Sequence, residues 1–253
     1  MKTYFLIVFL FLSYTFAQSN NLRVREWSWQ KSTCLDCWIL FKVSLEDSEN
    51  KDLVEFINTI QESKFDIVNL YNSDPQEYNL LAHMALGILG NESSFFQNWR
   101  YKVKSQTQGA ITAAKVVKKI DPIKLFTIGL FAPLELAEAY GKASPNSKGP
   151  TQIKNIPDKI SSKYNIVETD LWIAKNAARA TMGYLIEALA QLKRTTKNNN
   201  LSFITTEHYI DYLPYIYFGK SKMIREGSAT PDKNIYVQNM KKHMQRFKVI
   251  EVY

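Results

Sequence analysis

Hydrophobic and polar positions along this chain follow a helical rhythm from about residue 45 onward. Within Glu46 to Glu62, Leu53, Phe56, Ile57 and Ile60 recur at steps of three and four, which predicts an amphipathic helix. Ser73 to Gly90 carries the clearest signal. Asp74 is a capping residue, Pro75 suits the first helical position and Glu77 stands where a capping-box acid reaches back; Leu81, Met84, Ala85 and Ile88 then line one face. Lys104 to Ile120 and Lys124 to Tyr140 predict two further helices parted by Asp121-Pro122, followed by an exposed loop over Gly141 to Gly149. Thr169 or Asp170 is expected to cap a long helix that reaches about Lys193, with the polar run Thr195 to Asn200 closing it. Short helical pieces follow from Thr206. Asp232 begins a last helix whose Tyr236, Met240, His243 and Phe247 share a face. Strand signals are confined to short stretches such as Lys248 to Tyr253, and no internal repeat is present. The expected fold class is therefore mainly α.

The first residues break this rhythm. Lys2 precedes an apolar run, Tyr4 to Leu12, and Thr15-Phe16-Ala17 puts small residues where a signal peptidase reads. The run falls short of the ~20 apolar residues a spanning helix needs. Residues 1–17 therefore read as a removable export signal, which implies a periplasmic or secreted protein without a stable membrane anchor.

Composition narrows the partners. The chain has 253 residues, 45% apolar, with 32 Lys+Arg against 24 Asp+Glu and a formal net charge of +8. This balance excludes disordered and collagen-like classes, and the length supports a real core without disulfide or metal staples. A basic exported protein meets anionic partners, such as wall polymers, lipid head groups or nucleic acid. Nucleic acid is disfavoured, because no basic helix with base-reading side chains accompanies Lys115, Lys118 and Lys119. Cys34 and Cys37 form a C-x-x-C motif outside any βαβ pattern; it reads as a local disulfide staple, with a redox pair as the alternative. His83, His208 and His243 are too scattered for a zinc site, and no cofactor is expected.

Candidate chemistry centres on Leu80 to Trp99. Steps of three and four from Leu81 reach Ala85, Ile88 and then Glu92, so one carboxyl ends an apolar stripe, with Phe95, Phe96 and Trp99 just beyond. A carboxyl against such surface loses hydration of its charged form and its pKa rises, which suits the protonation of a glycosidic oxygen. The alternative is an exposed acid at a helix end, where the negative end of the helix dipole disfavours it.

Four segments, in order, resemble the soluble lytic transglycosylase and goose-type lysozyme superfamily. Gly90-Asn-Glu92-Ser93-Ser-Phe is similar to its Glu-Ser motif, and Gly149-Pro150-Thr151-Gln152-Ile153 to its Gly-Leu-Met-Gln turn. Asp170 to Leu185, with Asn176 and Tyr184, resembles the helix after that turn. Asn234-Ile235-Tyr236-Val237 is similar to the late Tyr-Val element. The resemblance implies a lysozyme-like helical catalytic domain over 73–253, preceded by an N-terminal helical extension over 18–72. It also implies cleavage of the β-1,4 MurNAc-GlcNAc linkage of peptidoglycan glycan strands, with Glu92 as the single acid and base. Ser93, Gln152 and Tyr236 become the substrate-side residues, with Tyr236 also orienting Glu92; Tyr217, like Trp99 and Tyr215, is an aromatic residue that suits stacking on a sugar ring, with a place in the core as the alternative.

The chain departs from the family pattern at Pro150 and Thr151. It departs again at Tyr215 to Gly219, which keeps the glycine of an Ala-Tyr-Asn-x-Gly motif and loses its Tyr and Asn. The stretch between Glu92 and Gly149 is longer than in compact members and implies an inserted helical segment. A lone carboxyl favours the transglycosylase route to a 1,6-anhydro end. A hydrolytic lysozyme or a non-catalytic wall-binding protein are the other readings.

Overall fold

The computed structural model describes residues 24–26, 38–98 and 148–252. The segment read as an export signal, Cys34 and Cys37, Trp99, and the helices expected over Lys104 to Tyr140 lie outside the described residues. What is described is mainly helical, as the periodicity predicts.

Local capping chemistry decides several boundaries. The helix expected over Glu46 to Glu62 is two helices, α1 (Leu45–Ser48) and α2 (Lys51–Glu62). Ser44 caps the first, its Oγ accepting from Asp47 N at 3.1 Å. Asn50 restarts the second, its Oδ1 accepting from Leu53 N at 3.2 Å. Helix α3 (Lys64–Tyr71) ends on Asn72 in the left-handed region.

Helix α4 (Pro75–Ser93) starts as the sequence predicts, with Asp74 Oδ1 accepting from Gln76 N at 2.7 Å. Glu77 does not complete a capping box; it pairs with Lys193 from a distant helix. From Tyr78 to Gly90, α4 is buried on nearly every side, which is why its apolar residues outnumber a single stripe.

After α5 (Asp158–Tyr164), a 3-10 turn over Glu168–Trp172 precedes the 25-residue helix α6 (Ala174–Asn198). Asp170 therefore caps the 3-10 turn, accepting from Val167 N at 2.9 Å, and not the long helix, which also runs past the Lys193 expected from sequence. Helices α7 (Tyr209–Tyr217), α8 (Ser221–Arg225) and α9 (Ile235–Gln245) follow. Asn234, not Asp232, caps α9: its Oδ1 accepts from Tyr236 N at 2.9 Å and Val237 N at 3.3 Å.

Helix α6 is the axis of the packing, touching α2, α4, α5, α7 and α8. Helix α4 packs most extensively on α9. That approach is close because Gly87 and Gly90 present no side chain: a Cβ on Gly87 would stand 2.7 Å from the Met240 carbonyl oxygen, and one on Gly90 2.5 Å from His243 Cγ.

The strand expected at the C-terminus forms as Lys248–Val252 and is the middle of a three-stranded antiparallel sheet. Its partners come from the other end of the chain, β1 (Val24–Glu26) and β2 (Trp38–Lys42), with β3 between them. The segment read as a helical extension thus contributes two strands, and its α2 and α3 share one core with α4 and α6, so the packing is continuous across Ser73.

Candidate active site

Glu92 lies in the last turn of α4 and is half-buried. Two tyrosines from later helices face it. Burial pushes the hydroxyls of Tyr217 and Tyr236 well above their ordinary values, and in both the negative charge of Glu92 is the next cause. The Tyr236 hydroxyl is enclosed without a well-formed hydrogen bond. It is nevertheless near enough to Glu92 for a looser side-chain contact to add to its rise. The backbone fixes this approach: Asn91 Nδ2 donates to the Tyr236 carbonyl at 3.0 Å, so the negative end of α4 meets the positive end of α9.

Tyr217 links this pair to the Gly149 turn. Its ring is 3% exposed and its hydroxyl donates to the Thr151 carbonyl. A buried, bonded ring of this kind leaves no face for a sugar, so its place in the structure is to hold the turn, which corrects the substrate-side role expected from sequence. Around it stand Tyr184, at 5.1 Å between ring centroids, and Phe218, at 5.4 Å; Phe218 in turn meets Tyr236 edge-on at 4.4 Å. These aromatic rings pack around the two tyrosines that face Glu92.

The Gly149 turn is rigid for identifiable reasons. Gly149 has φ +72°, and a Cβ there would fall 2.7 Å from the Leu171 carbonyl oxygen, so both conformation and space demand glycine. Lys148 closes the turn by backbone bridging to Ile153 and by an ion pair with Glu168. Thr151, where the family pattern has Met, is buried; its Oγ1 lies 2.7 Å from that of Thr181, which gives its own proton to the Ala177 carbonyl at 2.7 Å. Thr151 is therefore the donor of the pair, and the turn is tied to α6 by a hydroxyl. Gln152, half-exposed at φ +55°, donates from Nε2 to the Gly149 carbonyl at 2.6 Å.

Ser93 is placed otherwise than expected. It is fully buried, donating to the Leu89 carbonyl at 3.0 Å and accepting from Phe96 N at 3.1 Å. Those bonds make it a brace for the chain leaving α4, not a contact for substrate. Beyond it, Ser94, Phe95 and Phe96 have φ of 48°, 56° and 67°, three successive non-glycine residues in the left-handed region. This turn swings Phe95 onto His243 and Phe247, each 5.4 Å away, and Phe96 onto Phe56 at 6.0 Å.

The structure thus brings Glu92, Tyr217, Tyr236 and the Gly149–Gln152 turn together from segments far apart in sequence. Sequence reasoning missed Thr181 as the anchor of the turn and Asn50, described below; the second carried a signal, being a capping residue type just before Lys51. Neither protein-family models nor curated proteins nor solved structures match the chain. Among the described residues, no group of three or more His, Cys, Asp or Glu side chains could hold a metal ion, and no helix is long and apolar enough to cross a membrane.

Proposed function

We propose that this protein is an exported enzyme that cleaves the β-1,4 MurNAc-GlcNAc linkage of peptidoglycan, as a lytic transglycosylase with a lysozyme-like catalytic domain. The observation that carries the reading is the association of Glu92, the lone acid of its segment, with two buried tyrosines, one of which holds the glycine turn. Segments that resemble the family supply Glu92, the glycine turn and Tyr236 in the family's order, and Tyr217 comes from the stretch that departs from it.

In this reading Glu92 gives its proton to the glycosidic oxygen as the bond from that oxygen to the MurNAc anomeric carbon breaks. The acetamido oxygen of the same sugar closes on that carbon and carries the positive charge. The Glu92 carboxylate then takes the proton of the sugar's 6-hydroxyl, whose oxygen displaces the acetamido group to form the 1,6-anhydro ring, and Glu92 is again protonated. Tyr236 orients the carboxyl, and Gln152 presents the turn to the glycan.

Purified sacculi test the proposal. Wild type is expected to lower turbidity and release soluble muropeptides, and Glu92→Gln to lose roughly a hundredfold or more of that rate. Equal rates would refute the assignment. Mass spectrometry of the products separates anhydro ends from reducing ends, which differ by one water.

A further inference from the structure

The turn that follows Glu92 does not hold itself. A non-glycine residue in the left-handed region is strained, and Ser94, Phe95 and Phe96 are three in a row. Such a turn persists only where neighbours over-determine it, and the neighbours come from the two ends of the chain. Asn50 Nδ2 donates to the Phe95 carbonyl at 2.7 Å, while its Oδ1 caps α2. Arg246, just past α9, stacks 4.8 Å above the Phe95 ring. The same guanidinium grips Asp47 of α1 with two nitrogens, Nε at 2.9 Å from Oδ2, and Asp47 is buried and also accepts from Ser44 Oγ at 2.9 Å.

The geometry points to Asn50 as a positioning residue for Glu92: by holding the Phe95 carbonyl it locks the left-handed turn, and with it the last turn of α4 that carries the acid. The segment before α4 is on this view a working part of the site and not an appendage. Asn50 touches no substrate. It acts through the backbone of Phe95, two hydrogen bonds away from Ser93 and one residue further from Glu92. The activity half of this inference rests on the function proposed above; the structural half does not.

Asn50→Ser separates the two jobs of the side chain, because serine still caps α2 but is too short to reach Phe95. Asn50→Asp, isosteric and an equally good cap, sets an acceptor against the carbonyl and replaces the serine variant if that one fails to fold. The expected result on peptidoglycan fragments is a kcat lower by roughly tenfold to a hundredfold with KM little changed. In NMR, the titration of the Glu92 carboxyl, which Tyr217 and Tyr236 face, is expected to move away from its wild-type position. A folded variant with wild-type kcat and wild-type Glu92 titration overturns the proposal. So does an activity loss that merely follows the unfolded fraction while the titration stays put. If wild type itself is inert on sacculi but the Glu92 titration still moves in Asn50→Ser, the positioning role stands and the enzymatic reading falls.

Discussion

Gly87→Ala puts the close packing of α4 on α9 to a test of sign. In an isolated helix this change stabilises by about 1 kcal/mol, since alanine is the better helix former. Here the new methyl would stand 2.7 Å from the Met240 carbonyl oxygen, 2.7 Å from Met244 Cγ and 2.8 Å from Met240 Cγ. The methionine side chains can turn aside, but the carbonyl is part of α9, and an ordinary contact requires the helices to part by roughly 0.7 Å. Overpacking of this kind costs about 1–3 kcal/mol, so the net change is a loss of up to about 2 kcal/mol, or a Tm lower by a few degrees for a chain of this size. Urea unfolding followed by circular dichroism measures it directly. A variant more stable than wild type by the full helix-propensity gain would show that α9 does not seat on Gly87 and would undo the account of how Asn91 and Tyr236 meet.

The remaining predictions concern the turn and the buried histidine. Tyr217→Phe leaves the Thr151 carbonyl without its buried donor, so stability should fall by about 1–3 kcal/mol and sacculus clearance should slow; unchanged unfolding would refute the anchoring role. His83 lies against Phe41 with its ring nitrogens toward the Met244 and Phe247 carbonyls, and burial lowers it from its ordinary 6.5. Because the unfolded chain then binds the proton more readily, stability is complete above about pH 6.5 and declines on acidification toward the lower folded value, by at most about 1.4 kcal/mol per pH unit. His243 is lowered as well, by burial and then by Arg246 and Lys242, and adds to the same slope. His83→Gln should flatten the decline in urea midpoint between about pH 7 and pH 5; an unaltered slope would assign the acid sensitivity elsewhere.

What could be read from the sequence was what neighbours in sequence decide. Asp74-Pro75 marked the start of α4 because a cap and a proline act within one turn. Glu77 was misread because its partner, Lys193, lies on a helix more than a hundred positions away. Glu92 was found by periodicity, which fixes the face of a helix. Periodicity does not say what packs on that face, and so it could not show that Tyr217 and Tyr236 face Glu92 from α7 and α9. Ser93 matched a motif position by residue type and Tyr217 was a candidate for stacking on sugar, yet burial and bonding partners give both of them structural duties. Of the sheet, only its last strand was legible, since β1 and β2 are short and pair with residues at the far end of the chain.

That pairing has a consequence for how the molecule is made. Trp38 finds Val252 across about 200 positions, and both flanking strands pair only with the one between them. As the ribosome emits the polypeptide, two ribbons wait unzipped for a fastener that emerges about two hundred residues after them, so the sheet cannot close while the helices between are being made. A nascent chain cut after Phe247 would carry its helices but no sheet. Its early segments would then stay open to a chaperone until Lys248 to Val252 had emerged.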